Sequence, residues 1–151
     1  MSAFISVSLR ETDPIPYTYL VHRATLVAHD QPPHVLGLTL HYSAEQPFTI
    51  VMTLHTAGEN VQWHLSREQL MAGLHRHDGS GDVAVWPSAR RQGEDVVCVR
   101  LGPPRTAVVV EICRRTLRSW LVETTRLIPQ GSESEYLFLD QVIQGLLAQD
   151  S

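Results

Sequence analysis

Lysine is missing from this chain. All 12 basic residues are arginine, set against 16 acidic ones, and the formal net charge is −4. The basic groups are therefore planar, always charged and suited to bidentate carboxylate or phosphate contacts. A net negative chain lacks the charge balance of a general nucleic-acid binder. Cysteine is nearly as scarce, with only Cys98 and Cys113, each inside an apolar, strand-like run. A hairpin turning at Gly102-Pro103-Pro104-Arg105 sets Cys98 opposite Val109 and Cys113 opposite Glu94. The two thiols are then roughly 13 Å apart along the strands, too far for a disulfide, and the expectation is two free thiols in a reducing compartment.

Long apolar runs are also absent. None approaches the roughly 20 residues that cross a bilayer, and Met1–Arg10 lacks the basic start and apolar stretch of a secretory signal. These absences predict a cytoplasmic protein with no membrane span. The composition, 43% hydrophobic and 19% charged, belongs to a globular chain of one domain's length, with no sign of a disordered tail or linker.

Strand signals dominate the first two thirds. Residues 1–19 read as a lead-in extension broken by Asp13-Pro14-Ile15-Pro16, and 20–151 as a single domain. Strands are predicted at Leu20–Ala28, Val35–Tyr42, Phe48–His55 and Val61–Leu65, joined by turns at Asp30–Pro33, Ser43–Pro47 and Ala57–Asn60. In that register Leu38, Leu40, Tyr42, Ile50, Met52, Leu54, Val61, Trp63 and Leu65 share one face. Thr39, His41, Thr49, Thr53, His55, Gln62 and His64 share the other, as a half-buried antiparallel sheet requires. Ser66 with Gln69 forms a capping box opening a helix to about Arg76, stopped by Asp78-Gly79-Ser80-Gly81. Three more strands follow at Asp82–Pro87, Glu94–Leu101 and Thr106–Cys113. The last third is a helix pair. Leu117, Trp120, Leu121, Thr124 and Leu127 line one helix, ended by Pro129-Gln130-Gly131. Leu139, Val142, Ile143, Leu146 and Leu147 line the other, entered at Asp140.

Few residues invite chemistry. His55 and His64 read as diagonal neighbours on the polar sheet face, but the patch offers no third metal ligand. Gly79-Ser80-Gly81 follows a helix and precedes a strand, the reverse of a phosphate cradle. Ser66 is better used as a cap, and no histidine is brought to either cysteine. Catalytic, cofactor-binding and metal residues are accordingly assigned to none, and no cofactor is expected. The remaining candidate is a partner-binding surface at Arg114, Arg115 and Arg118, turned away from the apolar stripe of their helix, with Arg90-Arg91 in a loop.

The ordered motifs of the chain resemble those of the SsgA-like family of actinobacterial cell-division regulators. They run Tyr42, Glu45-Gln46-Pro47-Phe48, Val61-Gln62-Trp63, Arg67-Glu68-Gln69-Leu70-Met71-Ala72-Gly73-Leu74, then Gly79-Ser80-Gly81-Asp82-Val83. Val96-Val97-Cys98-Val99, Leu121–Thr125, Ile128-Pro129-Gln130-Gly131-Ser132-Glu133 and Leu139–Leu147 continue the series. The likeness spans about residues 20 to 148. Gln46-Pro47-Phe48 departs from the family's Asp-Pro-Tyr, and residues 1–19 look like an extension that the family lacks.

The resemblance implies an α+β fold like that of the whirly proteins. That fold has two antiparallel sheets of about seven strands, one mid-chain helix and a C-terminal helix pair, often assembled as trimers. It also implies a non-enzymatic role in sporulation-linked division, with partners among division proteins, namely FtsZ and other SsgA-like proteins, and a place at the septum. The alternative it raises is single-stranded nucleic-acid binding, which whirly proteins perform elsewhere. Fold kinship is weak warrant for that.

Overall fold

The fold was read from a computed structural model, which describes residues 4–8, 15–90 and 92–149. Five strands come first: β1 (Phe4–Ser8), β2 (Tyr17–Ala28), β3 (His34–Ser43), β4 (Thr49–His55) and β5 (Asn60–Ser66). Helix α1 (Arg67–Gly73) leads into β6 (Asp78–Ser80), β7 (Val83–Ser88), β8 (Val96–Leu101) and β9 (Val108–Cys113). Helices α2 (Arg114–Leu127) and α3 (Glu133–Gln149) follow. The α+β class and the three helices agree with expectation.

The division into two sheets does not hold. All described strands belong to one antiparallel sheet in the order β5-β4-β3-β2-β9-β8-β7-β6, with β1 pairing β2. The reason lies in β2, whose 12 residues reach roughly 40 Å at about 3.3 Å each. One edge of β2 takes β3 along Tyr17–Leu26. The other takes β1 at Tyr17–Val21 and β9 at Thr25–Ala28, so one long strand joins the two halves. β1 lies within the stretch read as a lead-in, of which Asp13 and Pro14 are outside the described residues. β6 arises where a helix-stopping turn was expected, because Asp78–Ser80 pair with Val83–Val85.

The two faces of β3, β4 and β5 are the predicted ones, although β4 and β5 pair two residues out from the expected register. Leu40 faces Met52 and Met52 faces Trp63. Leu38, Leu40, Tyr42, Ile50 and Met52 are fully buried, while Val61 and Trp63 on the edge strand are partly exposed. Against this face pack α1, on β5, β6 and β7, and α2, on β2, β8 and β9. Leu117, Trp120 and Leu121 of α2 lie in the core with Val97, Val99 and Ile112. The capping box is half realised. Ser66 Oγ accepts from Gln69 N at 3.1 Å, but the Gln69 amide points away and donates to the carbonyls of Asp78 and Val83. α1 is also shorter than predicted, ending at Gly73.

α3 begins at Glu133, well before the expected entry at Asp140. Ser132 O already accepts from the backbone N–H groups of Glu135 and Tyr136. The helix leaves Val142, Ile143, Leu146 and Leu147 exposed.

Candidate interaction surface

α2 buries Leu117, Trp120, Leu121 and Thr124, and the 3.6-residue period then turns Arg115, Arg118, Val122 and Arg126 outward, where all four are exposed. Between this row and the Gly93–Asp95 segment runs an open groove of ≈ 740 Å³. A second groove of ≈ 420 Å³ on the other side of α2 is bordered by Met71, Leu74 and His75 of the α1 end, and shares Arg118 and Val122 with the first. Arg115 lies 3.7 Å from Glu94 and Arg126 2.6 Å from Glu123, both as solvent-facing ion pairs. Arg118 has no hydrogen-bond or ion-pair partner among the described residues.

The three arginines singled out in the sequence do not behave alike. All three line the groove, Arg115 and Arg118 as exposed side chains, but Arg114 is half-buried and ties two helices together. Its Nε donates to Leu74 O at 2.9 Å and its Nη2 lies 3.4 Å from His75 Nδ1. Arg126 joins the row although sequence reasoning passed over it. Its spacing of eight from Arg118 on one helix was the available signal. Arg90 pairs with Glu111 on the sheet, and Arg91 lies outside the described residues.

Beneath the far end of α2, the motif residues converge on a buried arginine. Arg67, the first residue of α1, is 1% exposed. Its Nη1 donates to Thr124 O (3.1 Å) and Ile128 O (2.8 Å), and its Nη2 to Glu133 Oε1 (2.6 Å). Its Cζ stands 4.7 Å from the centroid of the Tyr42 ring, whose hydroxyl donates to Pro47 O at 2.9 Å. One guanidinium thus closes the open C-terminal turn of α2, fixes the first turn of α3 and stacks on β3. Burial raises the Glu133 carboxyl, but hydrogen bonds from Arg67 and from backbone N–H groups, including that of Gly131, outweigh it and hold the pKa low. Burial, above all, pushes the Tyr42 phenol up. These residues carry architecture, and their burial removes them from any direct part in recognition.

The thiols and imidazoles are placed differently from expectation. Pro103 and Pro104 have no N–H to give a ladder, so the β8–β9 loop spans Gly102–Ala107, with Leu101 facing Val108. Cys98 therefore faces Glu111 and Cys113 faces Val96. The cysteines become diagonal neighbours, still about 7–8 Å apart by sheet geometry, and both are free. The Cys113 thiol donates to Glu94 Oε2 at 2.8 Å. That bond, then Arg115, lowers the pKa of this groove carboxylate. His55 and His64 are not diagonal neighbours: His55 faces Asn60, and His64 faces Val51, four residues away along β4. His55 is held instead by Thr39 Oγ1 (2.7 Å) and Asn60 Oδ1 (3.2 Å). Among the described residues no group of three or more His, Cys, Asp or Glu is placed to hold a metal, and no helix is long and apolar enough to cross a membrane.

Comparison with known proteins agrees with this framework. Residues 36–133 match the family described as Streptomyces sporulation and cell division protein, SsgA. The sporulation-specific cell division protein SsgB of Streptomyces coelicolor is 40% identical over 111 residues, 73% of this chain and 80% of that one. SsgB of Salinispora tropica is 34% identical over 126 residues, 82% of this chain and 87% of that one. A solved SsgB structure, reported with the finding that mutations in SsgB correlate to longitudinal cell division during sporulation of Streptomyces coelicolor, superposes with a TM-score of 0.73 at 31% identity. It covers 84% of this chain and 98% of that one. The crystal structure of an SsgA-like sporulation-specific cell division protein from Thermobifida fusca gives 0.74 at 31% identity, over 84% and 94% of the two chains. In sequence and in fold, the chain belongs to the SsgA family of sporulation and cell-division proteins.

Proposed function

We propose that the chain is a non-enzymatic adaptor of sporulation-specific cell division, acting in the cytoplasm at the septum and helping to position FtsZ. The observation that carries this is its 40% identity to a sporulation-specific cell division protein over most of both chains. The outer row of α2 supports a role through surfaces. Arg115, Arg118 and Arg126 border the exposed Val122. Arg115 and Arg126 are paired with Glu94 and Glu123, and Arg118, which lines both flanking grooves, is the cation left open to an acidic partner segment. Residues 20–151 form the working domain, with 1–19 an extension of it.

The adaptor works as a homo-oligomer, a trimer in the pattern of its fold relatives. Support comes from α3, where Val142, Ile143, Leu146 and Leu147 form one exposed apolar stripe of the kind that marks an association surface. Other members of the SsgA family are the expected further partners. Deleting the gene and imaging sporulating cells tests the role. Absent or irregular sporulation septa and disturbed FtsZ ladders are expected. Normally spaced septa with unchanged ladders would remove it.

A further inference from the structure

The outer face of the second half of the sheet carries a feature that neither the core nor the α2 grooves use. Ala84 and Trp86 of β7 face Arg100 and Cys98 of β8. The exposed His77, just before β6, lies flat against this face. Its ring is stacked on that of Trp86 at 5.8 Å between centroids and 21° between planes. Small neighbours make room for it. A Cβ on Gly79 would meet His77 Cε1 at 3.2 Å, and Gly79 itself faces Ala84. Arg76, His77, Trp86, Pro87 and Arg100 together line a shallow basin of ≈ 560 Å³.

The charge in this basin is only weakly compensated. Arg100 is half-buried, and its Nε is out of contact with solvent with no hydrogen-bond partner among the described residues. The carboxylate diagonal to it, Glu111, is taken by Arg90. Arg76 is mostly exposed and holds Asp78 only at 3.8 Å. A half-buried guanidinium with its Nε–H unsatisfied carries a desolvation cost, and an incoming carboxylate meets its remaining N–H groups in a charge-assisted contact.

We propose that this basin is a second recognition site, which binds an extended acidic peptide segment of a partner protein. A carboxylate sits between Arg100 and Arg76, and a neighbouring aromatic or aliphatic side chain lies on Trp86 and Pro87. The fork of arginine matches a carboxylate, and tryptophan with arginine is the pair most often found at the energetic centre of protein interfaces. A nucleic acid fits less well, because two arginines on a chain of net charge −4 do not make the cationic track that a phosphate backbone follows. The choice of a peptide as ligand rests on the adaptor reading.

The test is fluorescence anisotropy on the purified full chain with a labelled, end-blocked peptide in which aspartates flank a phenylalanine. Arms with asparagine in place of aspartate, and with a thymidine oligonucleotide, run alongside. Binding of the acidic peptide is expected, weakened about tenfold or more (about 1.4 kcal/mol for each factor of ten) by Arg100→Gln and by Trp86→Ala, and lost in the asparagine arm. Arg76→Gln, at an exposed position that cannot upset folding, is expected to weaken it several-fold. No binding by the acidic peptide, equal binding by the asparagine peptide, indifference to both Arg100→Gln and Arg76→Gln, or preference for the oligonucleotide would each overturn the proposal. Failure here leaves the septation role standing, while normal septa in a deletion strain would remove that role and leave the basin's peptide binding intact.

Discussion

Arg67 is the residue on which most of the local architecture turns. Three oxygens from α2, the α2–α3 connection and α3 accept from it, and its other side is covered by Tyr42. Removing one member of a buried ion pair leaves the other charge uncompensated, so Arg67→Met is expected to cost about 3–5 kcal/mol in urea unfolding. Arg67→Lys is expected to recover only part of that, because an ammonium cannot span the same acceptors in a plane. Glu133 adds a pH signature. Its carboxyl is held below the ordinary value, so its contribution is present above the unfolded carboxylate pKa and is lost as pH falls through the lower folded one. Acidification across that window is expected to lower the urea midpoint of the natural chain more than that of Glu133→Gln. Equal acid sensitivity would contradict the assignment. The partners of Arg67 were not legible in the sequence, where it stands only as a motif residue after the Ser66 cap. What buries it is the later arrival of α2 and Glu133, 57 and 66 residues downstream.

At the scale of elements, α1 meets β7 through a glycine. A Cβ on Gly73 would lie 2.0 Å from Val85 Cγ1 and 2.7 Å from Val85 Cβ. Gly73→Ala is therefore expected to destabilise by about 1–3 kcal/mol or more through overpacking. Adding Val85→Ala to it should cost less than the sum of the two single changes, as measured by denaturant unfolding; strict additivity would argue against the contact. The two faces of β3, β4 and β5 were readable in advance because each strand alternates apolar and polar residues, a pattern that survives the two-residue shift between β4 and β5. Two things escaped the same reading. The Pro103-Pro104 loop consumed more residues than a tight turn, which shifted β8 against β9 by one diagonal. Two short strands, β1 and β6, lay in segments whose prolines and glycines signalled only breaks. The single continuous sheet was hidden for another reason: the β2–β9 pairing joins residues 80 or more positions apart, and no local pattern announces so distant a ladder.

At the scale of the molecule, the division of labour runs between a framework tied together by the buried Tyr42, Arg67 and Glu133 and a surface that carries arginines on α2. All three arginines named from sequence alone line the groove, but only Arg115 and Arg118 are exposed there. Arg114 also borders it but is tied down by Leu74 O and His75; helical periodicity shows which way a side chain leaves its helix but not which neighbour it then meets. Arg115, Arg118 and Arg126 are exposed, so Arg115→Glu, Arg118→Glu and Arg126→Glu are each expected to change folding stability by no more than about 0.5 kcal/mol. Replacing Leu146 and Leu147 by serine is likewise expected to spare the fold while lowering the sedimentation coefficient of the assembled protein; an unchanged coefficient would contradict association through α3. The most direct test of the whole account is to express the triple α2 variant at the natural level in sporulating cells and image the septa. The account predicts sparse or misplaced septa from a protein that folds and accumulates normally. Regular septa at ordinary spacing would show that this face is not where the protein works.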